Sequence, residues 1–313
     1  MQKNRINNEI LFNTIENVNA TDKGKLLQDN SIDIIFCDPP IYKNSNDKSI
    51  NNWNCENDYY KWFRIFMTIT AAKLKRTGIF YLIGDIEDIH PLIGIIHDFD
   101  FQISATYYFT KNRRSNIKKS KENPRTHNIV ETVFVFTRNF QRDIKKLLML
   151  KKEQYKIKSK DINMELGGNG NGGGYWSVYC GDNQKNIIPT EEHWNKFRKL
   201  FDIELDYNEI NTQFRPYEGN NLWEDIIFEE DRFLPTFNRP ISLFERLILL
   251  NKRNSEDVVV WDPFCGYGNS TMACKKMNCN YIAFEFDVKI FYKATINTGI
   301  STTLQKPISV ESI

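Results

Sequence analysis

Apolar and polar positions follow two different periods along the first 139 residues. Apolar runs typical of buried strands alternate with patterns typical of helices. The predicted strands are 32–36, 79–83, 101–109 and 129–136, and the predicted helices are 58–75 and 88–97. Gly78 predicts the handover from the first helix to the second strand. The alternation predicts an α/β block over residues 1–139.

The same alternation returns near the C-terminal end, with helices at 241–252 and 270–277 and strands at 258–261 and 281–286. Between the two regular regions, the period is lost after a Lys-rich helix, and GGNGNGGG occupies 167–174. We predict four parts: one half of an α/β domain at 1–139, an inserted variable lobe at 140–235, the second half at 236–300, and a C-terminal tail at 301–313.

Length and composition fit a globular protein with one large core. The chain has 313 residues, of which 41% are hydrophobic. Its six cysteines contain no CxxC pair, so we expect neither a zinc site nor a disulfide framework. The N-terminus is too polar for a signal peptide, and no apolar run approaches the roughly 20 residues that cross a bilayer. We expect a cytoplasmic protein without membrane contact.

Charge is distributed unevenly, although the formal net charge is only +2. Residues 111–160 contain sixteen Lys and Arg against four Asp and Glu, a local net charge of +12, so the remainder carries −10. Such a segment is what a nucleic-acid-binding face requires, because phosphate neutralisation releases counterions. A solvated basic surface explains the charge on its own equally well.

The sequence VVVWDPFCGYG ends a predicted strand in an acid and a glycine-rich turn that opens a helix. Gly266 and Gly268 let the backbone approach a ligand, and Glu285, at the end of the next strand, can accept two ribose hydroxyls. Phe264 stands between Asp262 and the glycines. This position favours contact with a cofactor, and the alternative is a residue of the hydrophobic core. The pattern predicts a pocket for a nucleoside-containing cofactor.

Asp38, Pro39 and Pro40 end the strand 32–36 and form the second motif. The lone pair of a nucleobase amine is delocalised into the ring, so the amine is a poor nucleophile. A carboxylate and a backbone carbonyl that each accept one N–H can localise this lone pair and aim it at a methyl donor. The prolines fix the turn and remove competing N–H groups. The motif is typical of transfer to an exocyclic amine.

Taken together, these segments resemble a known family, the β group of S-adenosylmethionine-dependent DNA amino-methyltransferases (N6-adenine and N4-cytosine), in which the catalytic motif precedes the cofactor motif. Asp-Pro-Pro is similar to the DPPY motif of that family, and DPFCGYG to its DPFxGSG. Four further segments are similar to family motifs in the same order: KLKRTGIFYLIGD at 73–85, THNIVETVFVFTR at 126–138, NNLWED at 220–225 and NRPISLFER at 238–246.

The resemblance implies a Rossmann-like mixed sheet with helices on both faces and a target-recognition lobe. It also implies a flipped base in double-stranded DNA, and family members are often dimers. The implied cofactor contacts are Asp262, Phe264, Gly266, Gly268, Glu285, Asn238 and Arg239. Basic residues of the loop 111–127, expected at the same sheet edge as Asp38, are predicted phosphate contacts: Arg113, Arg114, Lys118, Lys119 and Arg125.

The sequence departs from the family pattern at three places, and one of them is the absence of the family's histidine in the segment before Pro240. Ile41 stands where the family has an aromatic residue, and Tyr42 follows it, so either side chain could line the base pocket. Asn13 and Thr14 stand where the family has a Gly-Asp pair. These departures support a second hypothesis, a non-catalytic DNA-binding subunit of a partner methyltransferase. Aspartate rather than serine before the prolines favours adenine N6 over cytosine N4 as the target.

Tryptophan and histidine add little to these predictions. The tryptophans are expected mainly in the core, and only Trp53, in a predicted loop at 43–57, is a plausible base contact. His127 is explained as well by a structural hydrogen bond as by catalysis, and no role is predicted for it.

Overall fold

A computed structural model describes residues 5–6, 10–42, 53–110, 130–169, 174–181, 187–226, 238–251 and 255–300. The strands are β1 (Arg5–Ile6), β2 (Ile10–Leu11), β3 (Thr14–Glu16), β4 (Ile32–Cys37), β5 (Leu74–Gly84), β6 (Phe101–Thr110), β7 (Val130–Arg138), β8 (Leu222–Trp223), β9 (Val259–Asp262) and β10 (Asn280–Phe284). The helices are α1 (Ala20–Lys23), α2 (Glu56–Lys73), α3 (Ile86–His97), α4 (Phe140–Tyr155), α5 (Ser159–Glu165), α6 (Tyr175–Cys180), α7 (Glu191–Phe201), α8 (Ile241–Leu249), α9 (Asn269–Lys276) and α10 (Val288–Thr298).

Eight of the strands form one mixed sheet in the order β3-β10-β9-β4-β5-β7-β6-β8, and β1 pairs with β2 in a separate two-stranded sheet. Within the large sheet, β7 is antiparallel to both of its neighbours, and the other pairings are parallel. The parallel strands therefore end at one edge, here named the carboxyl edge, and begin at the opposite amino edge. The predicted α/β class and mixed sheet are confirmed.

Helices cover both faces of the sheet. Along the central strands, side chains alternate between two apolar clusters, one on each face. On β5, Phe80 and Leu82 pack in the cluster that contains the buried side chains of α2 and α3. Tyr81 and Ile83 pack in the other cluster, with α8 and α9. Such central strands are buried on both sides, which explains their continuous apolar runs.

The second predicted strand is longer than its apolar run indicates. α2 ends at Lys73, and β5 begins directly at Leu74 rather than at Ile79. Leu74 pairs with Ile32, whereas Ile79 pairs with Ile34, so an irregularity in β5 absorbs the extra residues. The prediction that Gly78 separates helix from strand was wrong, because pairing with β4 extends the strand over polar residues that have no apolar signal.

The middle of the chain forms a helical lobe with its own core. Phe140, Leu148, Trp176, Trp194 and Phe197 lie in an apolar cluster that is distinct from the two clusters of the sheet. This lobe contains α4, α5, α6, α7 and a short 3₁₀ helix at Tyr207–Glu209. The chain returns to the sheet after Ile210, and the division of the chain into parts, with a lobe at 140–235, stays a prediction.

Both connections of the lobe lie at the amino edge. α4 follows the end of β7, and an ion pair joins Asp143 of α4 to Arg76 near the start of β5 at 2.6 Å. At the other end, the backbone N–H of Gln213 donates to the carbonyl of Thr77 at 3.0 Å. Arg76 lies six residues before Leu82, the partner of Cys37. Because the irregularity of β5 absorbs some of these residues, the lobe attachment lies roughly 15 Å along the sheet from the carboxyl edge.

Residues 213–226 run from the amino edge to the carboxyl edge. The N–H of Tyr217 donates to the hydroxyl of Tyr107 at 2.8 Å, and Trp223 stacks on that ring with centroids 4.4 Å apart. Leu222 and Trp223 form β8 beside the end of β6. Part of the expected variable lobe therefore belongs to the sheet, because Trp223 completes the core of the face that α8 and α9 cover.

No helix among the described segments combines the length and apolarity needed to span a bilayer. The predicted tail at 301–313 lies outside the described residues.

Candidate active site

Three acidic residues meet at the carboxyl edge because they follow neighbouring parallel strands. Asp38 follows β4, Asp262 ends β9, and Glu285 follows β10. β9 lies between β4 and β10 in the sheet. The two motifs that lie more than 200 residues apart in sequence thus form one site. Crevices at the carboxyl ends of such strands are the usual ligand sites of open α/β sheets.

The glycine turn after β9 is held by backbone bonds and by the strand-end acid. The N–H of Cys265 donates to the carbonyl of Phe284 at 2.9 Å, and the N–H of Gly266 donates to Oε2 of Glu285 at 3.0 Å. Oε1 of Glu285 accepts the N–H of Asp287 at 2.8 Å. The carboxylate of Glu285 is therefore fixed against the turn at a defined position.

Both glycines of the turn adopt backbone conformations that favour glycine. Gly266 has φ +52° and Gly268 has φ +85°. A Cβ at Gly268 would lie 2.7 Å from Cγ2 of Thr298, so α10 packs too closely for any side chain. A Cβ at Gly266 would meet no atom within 4 Å, so this glycine borders open space. Gly268 serves packing, and Gly266 leaves room for a ligand.

Burial shifts the titration of two of the three acids. Burial raises the pKa of Asp262 to about 7, and the N–H of Phe264, which donates to Oδ1 at 3.0 Å, opposes this shift. Burial also raises the pKa of Glu285, partly offset by the N–H groups of Asp287 and Gly266. Perturbed acids that gather in one cleft are a common mark of functional sites.

Aromatic side chains of α2 cover the space between the two motifs. The Phe264 ring lies 5.1 Å from Phe66 and 5.8 Å from Trp62, between ring centroids. Trp53 packs 4.9 Å from Tyr59 and 5.0 Å from Trp62. Trp53 precedes α2, which begins at Glu56, and lies outside any helix or strand, as predicted, and its ring packs against α2. This packing is a sufficient reason for the tryptophan at this position.

The residues of the Asp-Pro-Pro motif differ in their exposure. Pro39 is buried and Pro40 is exposed, while Ile41 and Tyr42 are half-buried. The Tyr42 ring lies 6.4 Å from Tyr59, between centroids, so Tyr42 borders the aromatic surface of α2. Both candidates for the base pocket thus lie beside Asp38 at the carboxyl edge, and the choice between them stays open.

Arg239 forms ion pairs with two carboxylates. Its Nη2 lies 3.1 Å from Oδ1 of Asp38, and its Nε lies 2.7 Å from Oε2 of Glu131 at the start of β7. The carbonyl of Arg239 accepts a hydrogen bond from the side chain of Asn269 at 2.7 Å. Asn238, the half-buried residue before it, was also expected near the cofactor. The sequence does not predict a site role for Glu131, since this residue stands inside a strand pattern.

Asn13 and Thr14 lie on the amino-edge side of β3 and β10. Asn13 exchanges backbone and side-chain hydrogen bonds with Tyr281, and Thr14 pairs with Ile282. These partners lie three or four residues before Glu285, roughly 10 Å along the strand from that residue. The departure from the family pattern at Asn13 thus falls away from the candidate cofactor turn.

Residues at the other end of β3 lie beside the cofactor turn and were missed. The Asn17 side chain donates to the carbonyls of Glu285 and Phe286 at 2.8 and 2.9 Å. Burial raises the pKa of Glu16, partly offset by Lys23 at 3.6 Å. The strand is three residues long, so the sequence had no apolar run to mark its end.

The predicted phosphate contacts Arg113, Arg114, Lys118, Lys119 and Arg125 lie outside the described residues, as does His127. Among the described residues, no group of three or more His, Cys, Asp or Glu could hold a metal ion.

The fold and the site together define an α/β protein in which a glycine-rich turn and an Asp-Pro-Pro motif lie side by side at the carboxyl edge of a mixed sheet. A family model described as DNA methylase, the N6/N4 methyltransferase family, matches residues 32–296. This match covers most of the chain, so the protein belongs to the N6/N4 DNA methylase family, which uses S-adenosylmethionine as methyl donor.

Curated relatives support this membership. The chain is 22% identical to the type II methyltransferase M.HinfI of Haemophilus influenzae over 311 residues, which covers 92% of this chain and 68% of that protein. A 90-residue stretch is 30% identical to the type II methyltransferase M.HindIII of Haemophilus influenzae (strain ATCC 51907 / DSM 11121 / KW20 / Rd) and covers 29% of this chain and 28% of that protein.

Solved structures share the fold. The complex of M1.HpyAVI with SAM matches with a TM-score of 0.50 and 12% identity, over 91% of this chain and 98% of that chain. The cytosine-N4-specific PvuII DNA methyltransferase matches with a TM-score of 0.53 and 13% identity, over 93% and 87% of the two chains. At these identities the likeness concerns the fold.

Proposed function

We propose that this chain is a sequence-specific DNA methyltransferase that transfers a methyl group from S-adenosylmethionine to the exocyclic amine of a flipped base, most readily N6 of adenine. The observation that carries this proposal is the meeting of Asp38 with Asp262 and Glu285 at the carboxyl edge. An amine-directed carboxylate beside a nucleoside-binding turn has the parts that methyl transfer to a base requires.

The residues of the turn fit this cofactor. Glu285 can accept hydrogen bonds from two ribose hydroxyls, and its position is fixed by Gly266 and Asp287. The open space at Gly266 lets the ligand approach the backbone, and Phe264 offers an aromatic surface beside it. The cofactor supplies an electrophilic methyl group on a positively charged sulfur. We assign Asp262 the role of shaping the turn through its bond to Phe264.

Asp38 and the carbonyl of Pro39 are assigned to the target amine. Each accepts one N–H of the amino group, which draws the nitrogen towards tetrahedral geometry and turns its lone pair to the donor. Pro40 fixes the turn and offers no competing N–H. Ile41 or Tyr42 lines the pocket of the extruded base, by apolar contact or by stacking.

Double-stranded DNA is the proposed partner, bound through phosphate contacts by the basic residues predicted at 111–127. In the sequence these residues stand between Thr110, which ends β6, and Val130, which begins β7, and these two residues pair at the carboxyl edge. The connection therefore leaves from and returns to the edge that carries Asp38. Assembly into a homodimer or a heterodimer with a related subunit remains part of the proposal.

Adenine is preferred because an aspartate precedes the two prolines. The alternative of cytosine N4 has support in the likeness to the cytosine-N4-specific PvuII enzyme, since that fold accommodates the other target. The β group is proposed because Asp38 precedes the cofactor turn along the chain. The non-catalytic alternative is weakened because Asn13 and Thr14, which motivated it together with Ile41, lie away from the cofactor turn.

The test uses the full chain with S-adenosylmethionine that carries a labelled methyl group and with duplex DNA of diverse sequence. Nucleoside analysis of the digested product is expected to show label in N6-methyladenine, and long-read sequencing of DNA from expressing cells is expected to report one motif. Label in N4-methylcytosine overturns the adenine assignment. Cofactor binding by calorimetry without any labelled nucleoside supports the non-catalytic alternative.

A further inference from the structure

We infer that Arg239 is a positioning residue that holds the Asp38 carboxylate in place for the transfer step and is itself held by Glu131. This inference rests on the proposed function and changes the expected role of Arg239, which the family resemblance placed among the cofactor contacts. The evidence is the ion-pair network of these three residues, together with the bond from Asn269.

The network brings together three separate parts of the fold. Asp38 lies after β4, Glu131 is the second residue of β7, and Arg239 precedes α8. β7 is antiparallel, so its start reaches the same edge at which β4 ends. A single guanidinium thus joins the catalytic motif to a strand on the far side of β5.

The burial of the three side chains differs in a way that fits this role. Glu131 and Arg239 have side-chain exposures of 4% and 8%, whereas that of Asp38 is 30%. A buried guanidinium is costly unless carboxylates compensate it. Arg239 and Glu131 therefore form the fixed, inner part of the network, and Asp38 extends from it to the side where a substrate can approach.

The geometry requires arginine rather than any cation. Nε contacts Glu131 and Nη2 contacts Asp38, so the planar fork spans two carboxylates at once. The ammonium of a lysine is a compact point charge and lacks this rigid fork. Nη2 donates a hydrogen bond to Oδ1 of Asp38, and the ion pair with Glu131 holds the same planar guanidinium in place, so Arg239 restricts the orientation of the Asp38 carboxylate.

The main chain of Arg239 links this network to the cofactor turn. Its carbonyl accepts the Asn269 side chain, and Asn269 is the first residue of α9, directly after Gly268. Pro240 follows and restricts the backbone at the start of α8. The residue thus sets Asp38 relative to the turn, and this distance decides whether amine and methyl group meet in line.

The charges around Asp38 show why loss of the Arg239 guanidinium is costly. Asp262 lies close enough for the Asp38 charge to contribute to its raised pKa, although burial is the larger cause. Asp38 contacts Nη2 of Arg239, and Glu131 contacts Nε of the same side chain. Without the guanidinium, carboxylates would accumulate at one edge without compensation. The intact network keeps one net negative charge from these three residues, which favours an amine that becomes positive as it attacks.

The test compares Arg239→Met, Arg239→Lys and Glu131→Gln in the full-length chain. The readouts are kcat at saturating DNA and cofactor, Kd for S-adenosylmethionine by calorimetry, and the unfolding temperature. We expect Arg239→Met to lower kcat by about 100-fold with Kd changed less than about threefold, as for loss of one preorganising electrostatic group. Arg239→Lys is expected to recover part of kcat, and Glu131→Gln to lower kcat about tenfold.

The opposite pattern of changes in kcat and in the Kd for S-adenosylmethionine overturns the inference. If Arg239→Met weakens cofactor binding by tenfold or more and retains kcat at saturation, Arg239 is a cofactor ligand. If all three variants keep the kcat of the unsubstituted protein, the network has no role in transfer. Should Arg239→Met fail to fold, Glu131→Gln decides alone, because it retains Arg239 and Asp38. An unsubstituted chain that binds cofactor and methylates no DNA would instead refute the proposed function.

Discussion

The carboxyl edge of the sheet and the helical lobe at its amino edge solve different physical problems. The carboxyl edge buries charge, with Arg239 and Glu131 paired and the pKa of Asp262 raised by burial. The lobe buries an aromatic and aliphatic core around Trp194 and Phe197, and neither of these side chains has exposed surface. Desolvated charge opposes folding, and apolar burial favours it. The candidate site therefore lies where charge is buried, and the lobe has an apolar core of its own.

The largest effect is expected from Asp38→Ala, which removes the acceptor of the target amine. Transfer should fall by on the order of 100-fold or more, while S-adenosylmethionine still binds, because the carboxylate acts on the amine. Labelled methyl transfer and calorimetry measure the two effects. Asp143→Ala removes a carboxylate at the amino edge and is the matched control. Similar losses of transfer in both variants would remove the distinction between the edges.

Trp194→Ala tests whether the lobe core is independent of the sheet. The side chain is buried, and its Nε1 donates to the carbonyl of Leu205 at 3.0 Å. We expect a loss of roughly 3–5 kcal/mol in lobe stability, seen as faster hydrogen exchange in α4 and α7, with cofactor binding retained. Phe80→Ala, in the sheet core, should instead weaken cofactor binding. Simultaneous loss of lobe protection and cofactor binding in Trp194→Ala would show one cooperative unit.

The buried charge predicts a pH dependence specific to the carboxyl edge. The pKa of Asp262 is raised from 3.8 to about 7. A raised folded-state pKa means that its stabilisation is complete below about pH 4 and is lost as pH rises through 7. The free energy of unfolding of the unsubstituted protein should fall relative to Asp262→Asn over this window, by at most about 4 kcal/mol. Urea unfolding of both proteins at pH 4 and pH 8 measures it, and a constant difference contradicts it.

The smallest effect per residue is expected for the basic residues of the segment 111–127. Arg113→Glu, Lys118→Glu and Lys119→Glu should each lower the salt dependence of DNA binding by about one unit of slope, because each removes a phosphate contact. The matched set, Lys146→Glu, Lys158→Glu and Lys160→Glu, alters exposed residues of the lobe. We expect this set to leave the slope near its original value. The reverse result would place the DNA against the lobe.

Local sequence was sufficient for the central strands and for the residues that directly end them. β4, β9 and β10 are short and mostly apolar, β7 contains the apolar run 133–136, and burial on both faces explains why apolar residues dominate these strands. Asp38 and Asp262 follow such runs directly, so their location at strand ends could be read from the chain. Glu285 could be placed for the same reason.

Only the tertiary structure decided how distant segments meet. Glu131 carries no local signal, because a charged residue in a strand pattern is explained only by a partner such as Arg239, which lies 108 positions away. The return of the chain to the sheet at Leu222 and the position of Trp223 in a strand both depend on pairing with β6. The early start of β5 depends on the register with β4. Hydrophobic periodicity reports which residues are buried, whereas register, ion-pair partners and the edge at which an insertion attaches are set by contacts between elements.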